Sequence, residues 1–148
     1  ILGAKYVHNV LSREGRQDVF IKIMERDEYP SFGYWIKNGA TTLWEDFEGT
    51  NSRNHHMFAD IVSVMQEYIL GVKVKCVKEP YVEVEPYLSS FSIVAGKVAV
   101  PNGEISVLCE KKAGNWQFEV DLPYGVKAEL AVFGKRIPLK NGKRIYNI

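Results

Sequence analysis

The residues best able to do chemistry are concentrated between Tyr29 and His56. This stretch holds Trp44-Glu45-Asp46, then Glu48, then Asn51-Ser52-Arg53-Asn54-His55-His56. A carboxylate beside an indole, further aromatic faces and amide or imidazole donors are the parts of a sugar site. Carboxylates do the acid–base work on a glycosidic bond. Aromatic faces pack against the C–H side of a sugar ring, and neutral donors grip its hydroxyls. Each residue also has an ordinary structural reading. Glu45 reads as a solvated loop acid, and Tyr34, Trp35 and Trp44 read as core. Asn51 and Ser52 read as helix caps. His55 and His56, adjacent on a helix, would point in different directions and have no obvious third ligand, so no metal is expected. No cofactor is expected either.

The elements that must position these groups read as helical upstream and downstream. Leu2, Tyr6, Val7, Val10 and Leu11 recur at helical spacing, and Gly15 is a natural left-handed stop. The period resumes at Val19, Phe20, Ile23 and Met24, which predicts a helical hairpin over residues 2–27. Pro30 ends helical geometry, and the glycine- and aromatic-rich stretch Tyr29 to Asn51 reads as loop. A third helix is expected from near Ser52 to Gly71, with Met57, Phe58, Ile61, Val62, Met65, Tyr68 and Ile69 as its apolar stripe. A helix this apolar is normally covered on more than one side. Three helices and a loop are too few to enclose a core, so they are expected to belong to a larger helical domain. The start at Ile1, inside a helical pattern, also reads as a piece of something longer.

After Pro80 the period becomes two, with Val82 and Val84 alternating with Tyr81, Glu83 and Glu85. Strand-like runs are predicted at 91–95, 97–100, 104–110, 116–122, 126–133 and 144–146, separated by Gly, Pro and Asn turn signals. This pattern predicts a small antiparallel β-sandwich. The change falls between Gly71 and Pro80, giving a helical part over 1–75 and a sandwich over 76–148. The expected class is α+β.

Composition limits the alternatives. The chain has 148 residues, 46% of them hydrophobic, with 19 bases against 18 acids. That excludes a disordered chain and argues against a nucleic-acid binder, which would carry a basic face. No apolar run approaches a membrane span, and no leader pattern is present. Cys76 and Cys109 form no CxxC motif.

The run Tyr29-Pro-Ser-Phe-Gly-Tyr-Trp-Ile-Lys-Asn-Gly-Ala-Thr-Thr-Leu-Trp-Glu45, followed by Asn51-Ser-Arg-Asn-His55, resembles the signature of bacterial α-L-rhamnosidases. Those sequences read roughly YPSWGYMI..GATT.WE and then NS.NH. Leu2-Gly3-Ala4-Lys5-Tyr6 and Leu11-Ser12-Arg13-Glu14-Gly15-Arg16 are similar to the family as well. The resemblance is strong to about residue 71 and looser to 148. It implies the last helices of an (α/α)6 barrel followed by a C-terminal β-sandwich, in an inverting glycosidase. It also implies that Glu45 is the general base and that His55 contacts rhamnose. Trp44, Tyr34 and Trp35 would line the pocket. The implied partners are a rhamnosyl glycoside or oligosaccharide and upstream domains of the same parent.

The family's general acid lies upstream of the stretch seen here, so the isolated chain is expected to be inactive. Asp46 would not reach across the sugar to replace that acid. The interval from Glu45 to Asn51 is shorter than usual, and Phe32 stands where tryptophan is common. A secreted or periplasmic parent would suit enzymes that meet polysaccharides, although this chain carries no address. Two alternatives from other classes are a non-catalytic carbohydrate-binding module and a structural module bracing a barrel. A glycoside phosphorylase would need phosphate-binding groups that the stretch does not display.

Overall fold

The computed structural model describes residues 2–76, 79 and 81–148, with Leu2 and Cys76 described by backbone alone. Pro80, where the sequence period changes, lies outside the described residues. The chain divides into two compact units, Ile1–Val64 and Met65–Ile148.

In the first unit, helices α1 (Leu2–Arg13) and α2 (Gln17–Met24) form the expected hairpin around Gly15, whose φ is +74°. The buried face of α1 is not the apolar stripe. Tyr6, Val7 and Val10 are half-exposed or more, whereas His8 and Ser12 are buried. His8 packs edge-on against Phe20, with ring centroids 5.6 Å apart.

The stretch from Tyr29 to Asn51, expected as loop, contains a short helix, α3 (Phe32–Lys37). Ser31 caps it by accepting a hydrogen bond from the Tyr34 N–H at 3.0 Å, and burial of Trp35 anchors it. Six residues give little helical signal of their own, so tertiary burial sustains the turn.

The third helix starts later than Ser52. It opens as a 3-10 turn (His56–Phe58), continues as α4 (Asp60–Val64) and is followed in the second unit by a π-helical turn (Met65–Ile69). Ser52 caps nothing there, because its backbone is paired with Glu45 and its hydroxyl accepts from the Asn54 N–H at 3.3 Å. Phe58, Ile61 and Val64 fill the buried side, while Val62 remains exposed.

The second unit is a sandwich of two four-stranded sheets. One has the order β1 (Val72–Cys76), β2 (Tyr81–Val84), β6 (Lys127–Val132), β7 (Lys135–Leu139). The other has the order β3 (Ile93–Val100), β4 (Gly103–Lys112), β5 (Asn115–Leu122), β8 (Gly142–Asn147). Alternation places Trp116, Phe118, Val120 and Leu122 inside, facing Val82, Val84, Leu130 and Val132 of the other sheet in one core. Each such side chain contributes about 1.5–3 kcal/mol of burial.

Three details depart from the expected strands. The runs at 91–95 and 97–100 form one strand, β1 and β7 are additional, and β2 pairs with β6 in parallel. The parallel pair is possible because the chain between β2 and β6 crosses to the other sheet and back, so no hairpin constrains their direction. Cys109 is a buried free thiol whose pKa is pushed up by burial to about 12.

Candidate active site

Backbone pairing brings the two halves of the motif side by side. The Glu45 N–H donates to the Ser52 carbonyl at 2.8 Å, and the His55 N–H donates to the Leu43 carbonyl at 2.7 Å. The Thr42 hydroxyl adds a bond to the Arg53 carbonyl. This short antiparallel ladder sets the Glu45 Oε2 3.8 Å from His55 Nδ1. The same oxygen accepts the Ser52 N–H at 3.3 Å. The Glu45 side chain is 38% exposed and that of His55 28%, so both are supported from behind and open in front.

The other expected site residues lie behind this pair. Trp44 is 6% exposed, and its ring carries the Arg53 guanidinium 5.0 Å from its centroid. The Arg53 Nε in turn donates to the Gly49 carbonyl at 3.0 Å. Trp35 is 2% exposed and donates its indole N–H to the Asp46 carbonyl at 3.1 Å. Tyr34 is half-buried and packs edge-on against Tyr29, at 5.4 Å between centroids. Tyr29 bonds Glu48 through its hydroxyl, an acceptor that holds the phenol above its ordinary pKa. Thus the structure brings Glu45 and His55 together, while the two indoles form the packed floor beneath the loop.

Asp46 organises the turn between the two motif halves. Burial pushes its carboxyl pKa up, but hydrogen bonds from Thr50, Asn51 and Gly49 outweigh that and hold it below the usual carboxylate range. From the sequence Asp46 reads only as an acid. Its spacing of four and five residues from Thr50 and Asn51 was the available signal for a turn-forming carboxylate.

A second group lies on the far side of the imidazoles. His55 and His56 stack with centroids 5.7 Å apart and planes 7° from parallel. His56 lines a cleft of about 540 Å³ together with Lys5, Asn9 and Asp60. Asp60 Oδ2 lies 3.5 Å from His8 Nδ1, with side-chain exposures of 8% and 5%. Nothing local in the sequence marks these two polar residues, 52 positions apart, as neighbours. Among the described residues, no group of three or more His, Cys, Asp or Glu is placed to hold a metal ion.

Comparison with known proteins gives this geometry a context. Residues 1–69 match the family described as bacterial alpha-L-rhamnosidase 6 hairpin glycosidase domain. The alpha-L-rhamnosidase of Alteromonas sp. (strain LOR) is 31% identical over 140 residues, covering 86% of this chain and 15% of that protein. One from Formosa agariphila is 29% identical over 161 residues, covering 100% of this chain and 17% of its own length. This chain therefore spans less than a fifth of the curated relatives it matches.

Among solved structures, the alpha-L-rhamnosidase from Dictyoglumus thermophilum superposes with a TM-score of 0.77 at 26% identity, over 97% of this chain and 20% of that one. The Streptomyces avermitilis alpha-L-rhamnosidase, solved in complex with L-rhamnose, shares the fold with a TM-score of 0.75 at 21% identity, over 94% of this chain and 16% of that one. Both the helical unit and the sandwich that follows have counterparts in these solved alpha-L-rhamnosidases. The chain's kinship is with the bacterial α-L-rhamnosidases, and it corresponds to their C-terminal region.

Proposed function

We propose that this chain is the C-terminal region of an α-L-rhamnosidase that releases terminal α-L-rhamnosyl residues from glycosides or polysaccharides with inversion. The supporting observation is the ladder that sets the Glu45 carboxylate beside the His55 imidazole, open on one side. In this reading Glu45 takes a proton from a water molecule. The water oxygen bonds to the anomeric carbon from the face opposite the leaving group, the glycosidic C–O bond breaks, and the departing oxygen receives a proton from a second carboxyl group. That acid comes from sequence outside this chain, roughly 6.5–9.5 Å across the sugar to leave room for the water. His55 holds the bound sugar. Trp44, Trp35 and Tyr34 contribute as the wall and floor of the loop that carries the base.

Glu45→Gln in the full-length parent tests this reading. The amide cannot accept the proton, so turnover of an aryl α-L-rhamnoside is expected to fall by about 10²–10⁴-fold. The fold, judged by circular dichroism and melting temperature, should be unchanged. Near-wild-type turnover would reject Glu45 as the base.

A further inference from the structure

Asp46 sits between the proposed base and the turn that returns the chain to His55. Its Oδ1 accepts the Thr50 N–H at 3.1 Å. Its Oδ2 accepts the Asn51 N–H at 3.0 Å, the Asn51 side-chain amide at 2.6 Å and the Thr50 hydroxyl at 3.3 Å. Its backbone carbonyl accepts the Trp35 indole N–H at 3.1 Å. One carboxylate thus closes the ring from residue 46 to residue 51. The residues flanking that ring, Glu45 and Ser52, are joined at 2.8 Å by the first rung of the ladder.

We propose that Asp46 is a positioning residue for the Glu45–His55 pair: by gathering the donors of Thr50 and Asn51 it sets the turn that aligns the two motif halves. The inference rests on the reading of Glu45 as the base. The chemistry favours an ionised carboxylate at this place. All the bonds to the two oxygens come from N–H or O–H donors, and an amide would turn an NH2 group towards some of them. Trp35 fixes the backbone end of the residue, so the side chain cannot be replaced by a shift of the main chain.

The test is made in the full-length parent with Asp46→Ala, Asp46→Asn and, in parallel, Glu45→Gln. The measurements are kcat and KM on an aryl α-L-rhamnoside, and amide hydrogen exchange over residues 43–55. Misplacing a reacting group by an ångström costs about 10²-fold, so Asp46→Ala is expected to lower kcat by about that factor. KM should stay within about threefold, as befits a group that touches no substrate. Asp46→Asn, which keeps one carbonyl acceptor, is expected to fall in between. Exchange should quicken at Thr50, Asn51 and Ser52 and nowhere else in Ile1–Val64.

If Asp46→Ala keeps kcat within threefold while Glu45→Gln is disabled, the positioning role alone is wrong. If Glu45→Gln is active, the reading beneath it is wrong. A raised KM at unchanged kcat would make Asp46 a substrate contact instead. Exchange that quickens throughout Ile1–Val64 in both Asp46 variants would make it a folding residue. Either result overturns the inference.

Discussion

Gly49→Ala tests whether Trp44 is pinned beneath the loop. At Gly49 φ is +69°, and a Cβ added there would lie 2.4 Å from Trp44 Cζ3 and 2.5 Å from Cε3. The ring cannot simply retreat, since Arg53 lies over it at 5.0 Å and Trp35 is 6.0 Å away. The backbone cost of an L-residue in left-handed geometry is about 1–2 kcal/mol. Forcing extra volume against a packed side chain adds about 1–3 kcal/mol. The expected loss is therefore about 2–5 kcal/mol in total.

Gly39→Ala is the control that separates these two costs. Its φ is +77°, yet nothing lies within 4 Å of the added Cβ, so it should lose only the backbone part. Urea unfolding followed by tryptophan fluorescence and by far-ultraviolet circular dichroism would measure both variants, with the difference between them expected at about 1–3 kcal/mol. Trp44→Leu removes the clashing ring atoms, so in that background the excess cost of Gly49→Ala should vanish. Equal losses for Gly49→Ala and Gly39→Ala, within about 0.5 kcal/mol, would refute a pinned indole.

The remaining predictions concern buried polar groups. His8→Ala removes a buried ring that packs on Phe20 and lies 3.5 Å from the Asp60 carboxyl group, and should cost the Ile1–Val64 unit about 1–3 kcal/mol, part of which Asp60→Ala should restore in the double variant. A loss below about 1 kcal/mol in chemical unfolding would show that the two groups do not support each other. In the sandwich, burial pushes the Glu83 pKa up, but Arg136, Lys75 and Lys73 outweigh it and hold the carboxyl below the usual range. A depressed folded pKa means that the stabilisation is complete above the ordinary carboxylate range and fades as pH falls through the lower folded value. Glu83→Gln should therefore weaken the unit at neutral pH and flatten the acid limb of its unfolding midpoint against pH. An unchanged acid limb would contradict this.

Much of the architecture could be read directly from neighbouring residues. The alternation in β5, the buried Val82 and Val84 and the left-handed Gly15 were legible because each depends on spacings of a few residues. The motif halves around Glu45 and His55 were legible for the same reason, as residue types in order. The buried face of α1 was not, because an apolar stripe marks which side could be covered and not which side is. There the stripe of Tyr6, Val7 and Val10 stays exposed, while His8 turns inward to Phe20 and Asp60. The start of the third helix was also hidden, because Ser52 is a good cap by type but has its backbone engaged by Glu45.

Local periods, turn positions and the identity of the reactive groups are thus set by the order of residues along the chain. The parallel β2–β6 pair, the neighbour of His8, the work of the Asp46 carboxylate and the burial of Trp35 and Trp44 arise on folding. The physical reason is that a polar group's partner, or an aromatic ring's exposure, is set by residues brought near in space. Periodicity along the chain carries no record of those neighbours.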